Sequence, residues 1–189
     1  MMKTLPVAAL LLCSCGRGGN DDGKRASCDA IVTSAAIAKS LLEQVTLQYQ
    51  SADRAAAKWD LWEKKRITPE QDGSGEYSGA GANALAHYQT ATALCQSVSL
   101  EHWQLRELAR VSADPDIVEA ARGLSDLNCA LPLNAITSSD PAKRKAANEE
   151  WFHRRGVALD GEAVIVNVCR EKYGESRVTA PPPILLTNE

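Results

Sequence analysis

Aromatic residues and long apolar runs are both scarce in this 189-residue chain. Phe, Trp and Tyr make up only 5% of the residues, and Phe occurs once. Alanine is abundant, and a chain that is rich in alanine and poor in aromatic residues favours close-packed helices over sheets. No apolar run reaches the roughly 18–20 residues that a membrane-spanning helix needs. The composition therefore predicts a mainly helical globular protein.

The chain also lacks an excess of basic residues and any catalytic signature. Its formal net charge is -3 at pH 7, so we expect no nucleic acid as a partner. The three histidines lie outside any nucleophile motif, and we predict that the protein is not an enzyme. Glu150 and His153 have the spacing of one half of a di-iron site, but the second half is missing from the sequence. We therefore expect no metal and no cofactor.

Residues 1–15 have the organisation of an export leader. Lys3 gives a positive start, and residues 5–12 are apolar apart from Pro6, a length typical of a signal sequence. The segment Leu12-Cys13-Ser14-Cys15 follows, with an aliphatic residue at minus three and a small residue at minus one before Cys15. This segment resembles the lipobox of bacterial lipoprotein precursors. It departs from the common pattern by its short length and by Cys13 at minus two.

The resemblance implies that residues 1–14 are a signal peptide and that Cys15 becomes the lipidated first residue of the mature protein. It implies a membrane as a partner, through the lipid on Cys15, and a location in the bacterial envelope facing the periplasm. Gly16 is not Asp, so the familiar inner-membrane retention signal is absent and the outer membrane is favoured. Two alternatives are a cytosolic core helix with ordinary thiols and a secreted protein cut by an ordinary signal peptidase. Residues 15–27 are rich in glycine and charge, which predicts a flexible tether.

Four cysteines remain for the body of the protein, namely Cys28, Cys95, Cys129 and Cys169. An even number in an oxidising compartment predicts two disulfides, with three possible pairings. No CxxC motif occurs among them, which argues against a zinc or thioredoxin-like site. In an extended hairpin Cys28 lies far from Cys95. We therefore expect Cys28–Cys129 with Cys95–Cys169, and the pairing Cys28–Cys169 with Cys95–Cys129 as the second choice.

Hydrophobic periodicity predicts one helical domain in residues 28–175. Between residues 29 and 66 apolar side chains, about half of them alanine, recur at spacings of four and three, which is a heptad seam. A second helix is predicted for residues 82–111, with a kink near 97–99. Shorter helices are predicted for 115–129 and 141–155 from their Asp and Pro start signals, and for 160–173 from the capping residue Asp160. A strand at 164–166 is the alternative. The predicted fold is all-α: a long antiparallel helical hairpin with three shorter packed helices and two disulfides.

Two segments and two tryptophans are candidate contact surfaces. Residues 67–81 form a Gly-rich loop between the first two helices, either a flexible connector or a partner-binding loop with Tyr77 as its contact residue. Trp62 and Trp103 are further candidates for partner binding. Residues 176–189 form a Pro-rich tail that either packs back on the helices or docks on another protein.

The predicted function follows by elimination and from the leader. We expect a membrane-anchored, non-enzymatic protein-binding lipoprotein of the bacterial envelope. Its sharpest form is an inhibitor or immunity protein that acts against a periplasmic toxin or hydrolase. One alternative is a structural or assembly lipoprotein of a secretion or envelope complex, which uses the seam for a coiled coil with another chain. A second is a cell-wall-active enzyme that uses a carboxylate such as Glu101 or Glu150.

Overall fold

The computed structural model describes residues 20–124, 127, 129 and 140–174, and these residues contain helices and no strand. The predicted all-α fold and the long hairpin are confirmed. The leader, Cys15 and the tail at residues 176–189 lie outside the described residues. The helices are α1 (Asn20–Glu63), α2 (Ala80–Ser112), α3 (Pro115–Arg122) and α4 (Pro141–Tyr173).

The predicted seam is the buried face of α1. This helix has 44 residues, which correspond to about 66 Å at a rise of 1.5 Å per residue. Its small alanines let the partner helices approach closely. The buried seam residues are Ile31, Ala35, Ala38, Leu42, Val45, Tyr49, Ala52 and Ala56.

α1 begins at Asn20, so residues 20–27, which we expected in the tether, form its first two turns. Asp21 and Asp22 lie in the first turn, where negative charge interacts favourably with the helix dipole. At the other end of the hairpin, Gly81 of α2 lies against Trp59 of α1. A Cβ at Gly81 would lie 3.1 Å from the Trp59 ring, so glycine permits this close contact.

α4 is one continuous helix of 33 residues where the sequence predicts two shorter ones. That prediction is wrong, because Gly156 and Asp160 lie inside the helix instead of at its boundaries. A glycine costs a helix interior only about 0.5–1 kcal/mol. Burial of Trp151, Ala158 and Ile165 against the other helices outweighs that local cost. α2 is likewise continuous through residues 97–99, where we expected a kink.

α4 runs antiparallel to α1 and therefore parallel to α2. Arg144 near the start of α4 lies 3.6 Å from the carboxylate of Asp53. Further along, the Trp151 indole N–H donates to the Thr46 hydroxyl at 3.3 Å. Short α3 packs against both α2 and α4.

Two disulfides are present, as predicted, but the favoured pairing is wrong. Cys28 pairs with Cys169 and Cys95 pairs with Cys129, with Cα–Cα distances of 5.4 and 5.6 Å. This is the second-choice pairing. The reason is the continuity of α4, which carries Cys169 back along α1 to the level of Cys28.

Part of α1 is long and apolar enough to cross a membrane, by length and composition alone. A window within Asp21–Glu63 has a mean hydropathy of 1.2, and 44% of that window is buried. Core helices of globular proteins can have the same length and apolar composition. The buried seam of α1 accounts for this apolar character.

Candidate functional site

An open cavity of about 370 Å³ lies on the surface of the α1–α2 hairpin, beside the loop that connects the two helices. We call it the hairpin groove. Unlike most ligand pockets, which are mainly apolar, it is lined largely by polar and charged side chains. Its lining residues are Ser51, Arg54, Ala55, Lys58, Glu76, Ala80, Asn83 and His87.

α1 supplies two cations to the hairpin groove. Arg54 and Lys58 are four residues apart, so their side chains share one face of the helix. Within the described residues, the Arg54 guanidinium meets no carboxylate and donates to the Ser51 hydroxyl at 3.1 Å. Lys58 forms an ion pair with Glu76 of the loop. The groove therefore contains two cations: Lys58, which is paired with Glu76, and Arg54, which has no acidic partner among the described residues.

α2 supplies two hydrogen-bonding side chains on the opposite wall. Asn83 and His87 are also four residues apart and lie on one face. The His87 Nδ1 lies 2.7 Å from the side-chain oxygen of Gln48. An amide oxygen can only accept, so Nδ1 donates this hydrogen bond.

The connecting loop is organised around the buried carboxylate of Asp72. This carboxylate accepts hydrogen bonds from the backbone N–H groups of Tyr77 at 2.7 Å and Ser78 at 3.0 Å. The Ser78 hydroxyl and these N–H groups lower the pKa of Asp72. Gly75 has a φ of 72°, which favours glycine. The loop is thus held in one conformation that places Glu76 against Lys58.

The structure separates the three aromatic side chains that we predicted as contact residues. Half-buried Trp62 and Tyr77 lie at the loop end of the hairpin, near the hairpin groove but not in its lining. Trp103 is 56% exposed on α2. Its neighbour Glu101 accepts a hydrogen bond from Ser34, so Trp103 lies about 40 Å along α1 from Trp62. A single site cannot contain all three.

Sequence reasoning missed Arg54, Lys58 and His87. The available signal was weak: two basic residues one helical turn apart, close to a Gly-rich loop. Such pairs are common on solvated helix faces, and His87 comes from the next helix. Only the pairing of α1 with α2 brings the three side chains into one groove.

The carboxylates considered for an enzyme do not come together. Glu101 accepts a hydrogen bond from the Ser34 hydroxyl at 2.6 Å. Burial raises the pKa of Glu101 above its usual value, and that hydrogen bond offsets only part of the rise. Glu150 pairs with Arg154 one turn along α4. The described residues hold no cluster of three or more His, Cys, Asp or Glu that could bind a metal ion.

No protein-family model matches the sequence, and no curated protein or solved structure matches it either. The function is therefore inferred from the leader and from the geometry of the helical body.

Proposed function

We propose that the protein is a membrane-anchored, non-enzymatic lipoprotein of the bacterial envelope that binds another protein at the hairpin groove. In its sharpest form it is an inhibitor or immunity protein against a periplasmic toxin or hydrolase. The observation that carries the proposal is an open, polar groove with a cation that has no acidic partner among the described residues, on a body held by two disulfides.

The disulfides support both the compartment and the mode of binding. Disulfides persist in oxidising compartments such as the bacterial periplasm, which agrees with the lipobox-like leader. They join α1 to α4 and α2 to the segment after α3. A body held in this way loses little conformational entropy when it binds a partner.

The position of the hairpin groove relative to the leader supports an outward-facing binding site. Cys15 lies five residues before Asn20, the first residue of α1. From Asn20 to Lys58 the helix rises about 57 Å at 1.5 Å per residue. A lipid on Cys15 and the groove would therefore lie at opposite ends of α1.

The two other functions have less support. A coiled coil with another chain needs the seam of α1, but the seam is buried within this chain. A cell-wall-active enzyme needs acidic groups in one cleft, but Glu101 contacts Ser34 and Glu150 contacts Arg154.

Metabolic labelling with a fatty-acid probe tests the lipid anchor. We expect label in the wild-type protein and in Cys13→Ser, and no label in Cys15→Ser, because the lipobox resemblance assigns the acyl chains to Cys15. The Cys13→Ser variant is the matched control for loss of a leader thiol. An unlabelled wild type refutes the anchor.

Site-specific crosslinking tests the binding site. A photoreactive residue replaces Asn83 in the hairpin groove or, as a control, Gln89, which is also exposed on α2 but does not line the groove. We expect a crosslinked envelope protein from position 83 and not from position 89. Equal crosslinking at both positions, or none at position 83, contradicts the proposal.

A further inference from the structure

We propose that the hairpin groove binds an acidic segment of the partner protein through carboxylate contacts to Arg54 and Lys58, and that Glu76 is an internal competitor for Lys58. The inference deepens the proposed function and rests on it for the class of partner, a protein.

The charges of the hairpin groove favour a carboxylate guest. Arg54 presents a planar guanidinium, which can hold a carboxylate through two parallel hydrogen bonds. Within the described residues it meets no carboxylate. The hydroxyl of Ser51 and the amide of Asn83 line the same groove and can bind the remaining polar atoms of a peptide.

The carboxylate of Glu76 already binds Lys58 in this groove, as a carboxylate of the partner would. Its side chain is 53% exposed and that of Lys58 is 44% exposed, and ion pairs between such exposed groups contribute little to stability. Asp72 fixes the backbone of the loop independently of Lys58, through the N–H groups of Tyr77 and Ser78. A guest carboxylate can therefore displace the Glu76 side chain while the loop keeps its conformation.

A protein segment fits the groove better than a lipid headgroup does. The lining extends along α1 from Ser51 to Lys58 and along α2 from Ala80 to His87, a length of about 10 Å on each helix. That length suits an extended peptide of about three residues. The groove also lies at the end of α1 remote from Cys15, about 57 Å along the helix from Asn20.

Fluorescence polarisation with the full processed chain in detergent tests the inference. The probe is a fluorescein-labelled peptide of alternating Glu and Gly, and the control probe has Gln in place of Glu. We expect binding of the Glu peptide alone, about fivefold weaker in Arg54→Gln because a charge-assisted pair is lost. We expect binding about two- to threefold tighter in Glu76→Gln because the competitor is removed.

The ion pair between Arg122 and Glu119 supplies matched controls, since both side chains are exposed on α3 away from the groove. Arg122→Gln and Glu119→Gln should leave the affinity for the Glu peptide unchanged. Circular dichroism should give the wild-type spectrum for every variant, because all the altered side chains lie at the surface.

Three outcomes overturn the inference. The first is no binding of the Glu peptide up to 1 mM. The second is equal weakening by Arg54→Gln and Arg122→Gln. The third is Arg54-dependent binding to anionic phospholipid vesicles without binding to the peptide.

The crosslinking experiment separates this inference from the proposed function. If the crosslink from position 83 persists unchanged in Arg54→Gln, the proposed function stands and this inference fails. If the wild type gives no crosslink, the proposed function itself fails.

Discussion

At the residue scale, Asp114 connects the start of α3 to the end of α4. Its carboxylate caps α3 by accepting from the N–H groups of Asp116 and Ile117. It also accepts from the Lys172 ammonium at 2.8 Å and the Tyr173 hydroxyl at 2.8 Å. Burial raises the pKa of this carboxyl, but these hydrogen bonds outweigh burial and hold the pKa at about 2.

This low pKa predicts how stability depends on acid. An unfolded Asp has a pKa of about 3.9, so the stabilisation by Asp114 is complete well above that value and is lost as the pH falls toward 2. In urea unfolding, Asp114→Asn should therefore lower the free energy of unfolding at pH 5 more than at pH 3. The control is Asp140→Asn, since Asp140 caps α4 from an exposed position. A similar loss at both pH values in Asp114→Asn contradicts the assignment.

The buried pair of His102 and Glu162 gives a second prediction. The His102 Nε2 lies 2.7 Å from the Glu162 carboxylate, and both side chains are buried. His102→Leu should destabilise the protein by about 1–3 kcal/mol, because it leaves the buried carboxyl group of Glu162 without this hydrogen bond. The double change His102→Leu with Glu162→Leu should cost less than that. Denaturant unfolding measures both, and a greater cost for the double variant shows that the pair does not act as a unit.

At the element scale, the continuity of α4 is directly testable through its glycines. A Cβ at Gly156 would meet nothing within 4 Å, whereas one at Gly161 would lie 3.3 Å from the carbonyl oxygen of Gly123. Gly156→Ala should therefore raise the free energy of unfolding by about 0.5–1 kcal/mol. Gly161→Ala should give no such gain. Destabilisation by Gly156→Ala indicates that the helix is broken there.

The helical elements were predictable where periodicity is strong and uninterrupted. The seam of α1 follows from apolar spacing alone, and the starts of α3 and α4 follow from Asp114-Pro115 and Asp140-Pro141. The continuity of α4 through Gly156 was not predictable, because it depends on the burial of α4 against α1. The disulfide pairing depends in turn on this continuity, because it brings Cys169 to Cys28.

The hairpin groove was less predictable than the fold. It draws on α1, the loop and α2, and no local motif links these three segments. The ion pair between Lys58 and Glu76 depends on the loop conformation that Asp72 imposes. Sequence spacing placed a loop at residues 67–81 but said nothing about which helix face it covers.

At the scale of the whole molecule, the two disulfides should differ in their effect on stability. Cys28 and Cys169 are 141 residues apart, whereas Cys95 and Cys129 are 34 apart. In the chain-entropy model the longer loop is worth about 1 kcal/mol more. Removing Cys28–Cys169 by paired Ser substitutions should therefore destabilise the protein more than removing Cys95–Cys129. Denaturant unfolding of both variants provides the comparison, and the reverse order contradicts the model.

The Cys28–Cys169 disulfide also closes the chain into a covalent ring that includes the loop between α1 and α2. A protease that cuts this exposed loop would open the ring but release no fragment, because both pieces remain joined through sulfur. A protein cut in this loop would thus stay in one piece. The cut would become visible on a gel only after reduction.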